Sequence, residues 1–274
     1  MHFTSLLDIM APLHGSQSYW SIAGPVKRFK ITDEVPFRVQ LSWLNLSFTA
    51  GAINAGGFLS CQRFVSHVTG FVTISGLNFE QRAWAEALSA LSIPGFFLGG
   101  AVISGMLTEY EQNDAALSRR FGYAMGVIAI TLAAIIAFGV QGLFGPFGLS
   151  EKITADFLLI ALLCGICGLQ NAAVTSLTGA SVRPTHLTGT TTDLGLGLVR
   201  ALRAKPGSSA FVIERRTNRR RLGLIVAFVT GVMVGSALFF ELEYLGFALP
   251  LVTTLISMVE SIVDVRFTSM PEAK

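Results

Sequence analysis

Residues 183–193 read R-P-T-H-L-T-G-T-T-T-D, a threonine-rich run holding one of the four histidines in the chain. Its centre has an earlier echo. In F-V-S-H-V-T-G, Phe64–Gly70, His67-x-Thr69-Gly70 matches His186-x-Thr188-Gly189. Upstream, Gly51-x-x-Asn54-Ala55 precedes the first copy and Gly168-x-x-Asn171-Ala172 the second, with 13 residues from Asn to His in one and 15 in the other. Downstream, Phe96-x-x-Gly99 and Phe228-x-x-Gly231 lie in apolar segments. Three ordered matches, one carrying a rare residue type, indicate internal duplication. Gly51, Gly70, Gly99, Gly168, Gly189 and Gly231 are its structural marks.

Composition sets the class. The chain is 51% hydrophobic and 14% charged, where an average soluble domain carries about 25% charged residues. A surface of this kind needs lipid around it. The three cysteines form no disulfide framework, and Cys164-x-x-Cys167 sits in an apolar run where packing is its expected role. No Cys/His set completes a zinc site, and no nucleophile–base pair or phosphate loop stands out. Neither a cofactor nor an enzymatic activity is expected.

Six segments approach the ~20 residues that a helix needs to cross the hydrocarbon core. They run roughly over 41–61, 84–107, 121–141, 156–178, 222–240 and 245–265. Trp43, Trp84, Tyr110, Tyr123 and Tyr244 fall near segment ends, where aromatic rings favour the lipid–water boundary. Gly95-x-x-x-Gly99, Gly122-x-x-x-Gly126 and Gly231-x-x-x-Gly235 offer close helix contacts, and Pro94 and Pro250 are expected kinks. Seventeen of the 20 Lys and Arg fall on one side of a six-span arrangement. Both termini are therefore expected in the cytoplasm. This divides the chain into a tail (1–38), a membrane domain (39–266) and a short C-terminal tail (267–274). No cleavable signal is expected, and Tyr19, Trp20 and Phe29 are candidates for lying on the membrane surface. Arg215, Arg216, Arg219, Arg220 and Arg221 read as an orienting signal or as contacts to anionic lipid headgroups, not to nucleic acid.

Three spans per copy force the second copy to enter from the opposite side. The expected fold is thus all-α and polytopic: two inverted three-helix repeats, 41–141 and 156–265. Inverted repeats recur in secondary transporters, with sites where the halves meet. Phe64–Leu77 and Thr185–Leu202 are too short to span and are candidates for re-entrant or interfacial helices, capped by Ser66 or Thr69 and by Thr185 or Thr188.

The candidate binding residues are Asn54, His67, Thr69, Gln170, Asn171, His186, Thr188 and Asp193. Each has a plainer role as well: the amides as helix–helix glue, the histidines as loop anchors, Asp193 as a cap. Two functional classes stay open. One is a carrier of a small solute or ion with a site between the repeats. The other is a non-transporting partner or sensor in which the duplicated motif is structural, and either class admits a homo-oligomer.

The series G-x-x-N-A, F-V-S-H-V-T-G, L-Q-N-A and T-H-L-T-G-T-T-T-D-L-G resembles the YoaK-like family of small bacterial and fungal membrane proteins, classed as a domain of unknown function. The resemblance covers about residues 40–265. It implies a multi-pass protein of the bacterial plasma membrane and no particular activity. Members more often carry an acid near the place of Asn54; here that position is an amide.

Overall fold

The computed structural model describes residues 29–109, 111, 113–149 and 153–268. The expectations for the N-terminal tail up to residue 28, for Tyr110 and for residues 269–274 lie outside these. The described chain is helical: α1 (Phe37–Cys61), α2 (Val68–Glu80), α3 (Trp84–Thr108), α4 (Asp114–Val140), α5 (Ile153–Leu177), α6 (Leu187–Arg203), α7 (Ser209–Leu242) and α8 (Ala248–Thr268), with a 3-10 turn at Glu243–Phe247. Local chemistry sets several ends. Asn113 and Ser208 cap α4 and α7 by accepting from Ala116 N at 3.0 Å and Phe211 N at 3.2 Å. Glu243, at φ 50° and ψ −125°, breaks α7 from the turn that follows. Pro250 sits in the first turn of α8, where no intrahelical hydrogen bond is lost, whereas Pro94 lies inside α3.

Two close backbone crossings organise the bundle. α1 runs parallel to α7: Gly223 lies against Leu44, Ser47 Oγ donates to Leu224 O at 2.8 Å, and Gly235 lies against Ala52. Between them, a Cβ at Gly51 would run into the Phe228 carbonyl, and one at Gly231 into the Phe48 carbonyl. α3 runs parallel to α5, with Phe96 against Phe157 near one end and Thr108 bonded to Ser176 near the other. Here Gly168 meets the Phe97 carbonyl and Gly100 meets the Gly165 carbonyl. The crossing glycine of α3 is therefore Gly100, one residue beyond the expected Phe96-x-x-Gly99. Gly95 and Gly99 face open space.

The other pairs are antiparallel. α8 descends along α1 through Ser42–Glu260 (2.6 Å), Asn45–Ser257 (2.9 Å) and Thr49–Thr253 (2.7 Å). α4 meets α8 at Gly122–Ser261 and Gly126–Met258, and the 3-10 turn before α8 at Gly139–Tyr244. α5 opposes α1, since Gln170 Nε2 donates to Leu46 O at 3.0 Å while Cys164 Sγ donates to Val65 O at 2.9 Å. So α1, α4 and α7 point one way and α3, α5 and α8 the other. The end holding the start of α1 is termed lower. In the middle, Ile53, Met125, Ile128, Leu132, Leu159 and Leu163 are fully buried in one apolar core, where close packing leaves little room for a change of side-chain volume.

Among the described residues, four helical segments are long and apolar enough to cross a membrane: Trp84–Thr108, Ala116–Val140, Asp156–Leu177 and Ser209–Ile262, which takes in α7 and most of α8. α1 is 25 residues long but is not among them, because Ser42, Asn45, Ser47, Thr49 and Asn54 dilute its apolar character while bonding to neighbours. α2 and α6 are short, with 13 and 17 residues. Each folds back along the start of the next helix. Ser75 Oγ donates to Ala87 O at 2.8 Å and Phe79 stacks edge-on to Trp84; Arg200 pairs with Glu214 at 2.6 Å.

Candidate functional site

The duplicated motif is the same local device built twice. Asn54 Oδ1 accepts from Ser66 Oγ at 3.0 Å, and Asn171 bonds Thr185 through both side-chain atoms, accepting from Thr185 N at 3.2 Å and donating to Oγ1. Each amide thus ties down the residue that precedes the histidine. His67 and His186 occupy the N-cap positions of α2 and α6 without a side-chain cap bond, in place of the expected Ser or Thr caps. Their rings fold over the glycine three residues on: a Cβ at Gly70 would lie 2.8 Å from His67 Nδ1, and Gly189 is covered by His186 in the same way. That close approach accounts for the glycine in His-x-Thr-Gly.

The candidate residues do not form one centre. Asn54 lies in the upper part of α1, with His67 and Thr69 beyond its end, whereas Asn171 lies in the lower part of α5, with His186 and Thr188 beyond its end. Both histidines, both threonines and Asp193 are exposed. Gln170 is buried on α5 against α1.

Among the crevices between the two halves, two lie along the crossing pairs α3–α5 and α1–α7. The upper one, about 320 Å³, is enclosed by α2 and α3 from the first half and α5 from the second. Arg63, Asn78, Glu86, Ser89 and Asp156 supply its polar lining, and Phe71, Ile93, Phe157 and Ile160 its apolar walls. Asp156 is 6% exposed and stands in the first turn of α5, where the helix dipole favours a carboxylate. The lower crevice, about 230 Å³, lies between α1 and α7, with Gln40, Trp43, Arg219, Arg220 and Leu224 on its walls.

Beside the lower crevice, residues 29–36 form a strap. Ile31 and Val35 are buried, and Ile31 N donates to Ser181 Oγ at 3.0 Å. Arg220 Nη1 donates to Ile31 O at 2.7 Å and to Asp33 O at 2.5 Å; Arg216 binds Glu34 at 2.9 Å and Thr32 O at 3.0 Å. Arg221 faces Asn218 and Glu214. Three of the five clustered arginines are thus engaged within the protein, and Arg215 and Arg219 are exposed. Among the described residues no group of three His, Cys, Asp or Glu is placed to hold a metal ion.

The family model described as "Protein of unknown function (DUF1275)" matches residues 43–259, which includes both motif copies and both crossings. The chain belongs to this family. It is also 24% identical over 193 residues, 70% of this chain and 80% of the relative, to the "UPF0700 transmembrane protein YoaK" of Bacillus subtilis (strain 168). No solved structure matches. As a DUF1275 protein with apolar helices of spanning length, the chain is an integral, multi-pass membrane protein. The duplicated His motif was legible in its sequence; the upper crevice was not. Its one early signal was a pair of acids, Glu86 and Asp156, each opening an apolar span.

Proposed function

We propose that the chain crosses the bacterial plasma membrane six times as two inverted three-helix units and carries a small solute through sites where the units meet. The observation that carries this reading is the pair of crevices. One joins α2 and α3 to α5, the other joins α1 to α7, and they open at opposite ends. Helix directions support the inversion: up, down, up for α1, α3 and α4, then down, up, down for α5, α7 and α8. The start of α1 and the far part of α8 meet at Ser42–Glu260, which supports termini on one side. The excess of Lys and Arg at that lower end makes it cytoplasmic. Arg220 both lines the lower crevice and holds the strap, and movement of solute past it requires those bonds to release. No enzymatic step is assigned to the chain. Arg215 and Arg219 are the arginines left to face anionic headgroups.

Flux of candidate solutes into proteoliposomes tests the proposal. Ile93→Trp narrows the upper crevice and is expected to abolish flux while the protein stays folded. Flux unaltered by this substitution overturns the crevice as the route. The apolar core shared by α1 and α5 favours a second reading, a non-transporting membrane partner, and the absence of flux for every solute class selects it.

A further inference from the structure

We propose that the upper crevice binds a small organic cation bearing an ammonium or guanidinium group. The inference rests on the equivalence of the two units and names the solute class for the carrier reading. The close backbone contacts fix the register: Gly51 corresponds to Gly168, Phe97 to Phe228 and Gly100 to Gly231. The same register sets Ile93 opposite Leu224, Ile160 opposite Trp43, and Ser89 opposite Arg220. These residues line the upper and lower crevices respectively.

The lower crevice shows what such a place accommodates. There the protein's own guanidinium, on Arg220, reaches oxygen acceptors at Ile31 O, Asp33 O and, at 3.5 Å, Gln40 Oε1. In the upper crevice a short serine stands in that position, and the cavity is larger, about 320 Å³ against 230 Å³. Acceptors again surround the space: the Asp156 and Glu86 carboxylates and the Asn78 amide. Among the described residues the lining holds two carboxylates and one guanidinium, that of Arg63. A cation donating to these carboxylates gains charge-assisted hydrogen bonds. Its apolar portion meets Phe71, Ile93 and Phe157. The volume lies at the low end of the roughly 300–1,000 Å³ usual for small-molecule sites, which suits a short-chain amine or guanidine.

Binding is read separately from transport. The full-length protein in detergent is titrated with n-butylguanidinium, butylammonium, butyrate and butanol at matched ionic strength, followed by equilibrium dialysis and by melting temperature. The two cations are expected to bind and raise the melting temperature; butyrate and butanol are not. Ser89→Arg supplies the guanidinium from the chain itself, so it is expected to abolish cation binding while the melting temperature without ligand is kept. Asp156→Asn is expected to weaken binding at least tenfold. Should that variant fold poorly, Glu86→Gln carries the same test. Equal binding of butyrate, or unchanged cation binding in Ser89→Arg, overturns the proposal. Cation binding without flux refutes the carrier and leaves the site standing.

Discussion

Gly99 and Gly100 are neighbours on α3 with the same helix propensity, so replacing each by alanine isolates tertiary packing. At Gly99 nothing lies within 4 Å of an added Cβ, and Gly99→Ala is expected to gain the usual helical preference of alanine over glycine, about 0.5–1 kcal/mol. At Gly100 the Cβ falls on the Gly165 carbonyl, with Gly165 C and Leu169 N both at 2.9 Å. These are backbone atoms, so no side chain can rotate away and α3 must move off α5. Overpacking of a close-packed core costs about 1–3 kcal/mol, occasionally more, and the rigidity of this contact puts Gly100→Ala at the upper end. The two variants should therefore differ by roughly 3–4 kcal/mol. At about 2–4 °C per kcal/mol for a chain of this size, their melting temperatures in detergent should separate by on the order of ten degrees. Equal melting temperatures, or the larger loss at Gly99, would refute the crossing assigned to Gly100.

Arg220→Gln removes the guanidinium bonds to Ile31 O and Asp33 O. At roughly 2–3 kcal/mol for charged donors, hydrogen exchange in residues 31–36 should speed up about 30- to 150-fold; unchanged protection would mean that the strap is held elsewhere. Asn171→Leu leaves Thr185 N without its acceptor and should destabilise by about 1–3 kcal/mol. His186→Ala, at an exposed site, should stay within about 0.5 kcal/mol, so equal losses in the two melting curves would contradict the tether. For orientation, a cysteine at exposed Glu243 should react with an impermeant maleimide in intact cells and one at exposed Arg219 should not, against a low background from the buried Cys61, Cys164 and Cys167.

Asn54 and Asn171 show what sequence carried: each lies a short distance before its histidine, 13 and 15 residues, and the tether it makes is local, so the repeated order of motifs exposed it. The membrane class was equally legible, because 14% charged residues cannot clothe a water-facing surface. Phe97 and Gly100 show the limit. The chain offers Phe96 and Gly99 just as well by spacing, and only the approach of α5, 65 residues away at Gly165, decides which glycine the crossing needs. Arg216 and Arg220 look like lipid-facing charge until the strap supplies carbonyls for them. Glu86 and Asp156, 70 residues apart, share a crevice only because α3 lies alongside α5. Composition and local spacing act along the chain and can be read there; helix register and the sharing of a cavity depend on which backbones pack together, and packing joins residues whose separation in sequence encodes nothing about their distance.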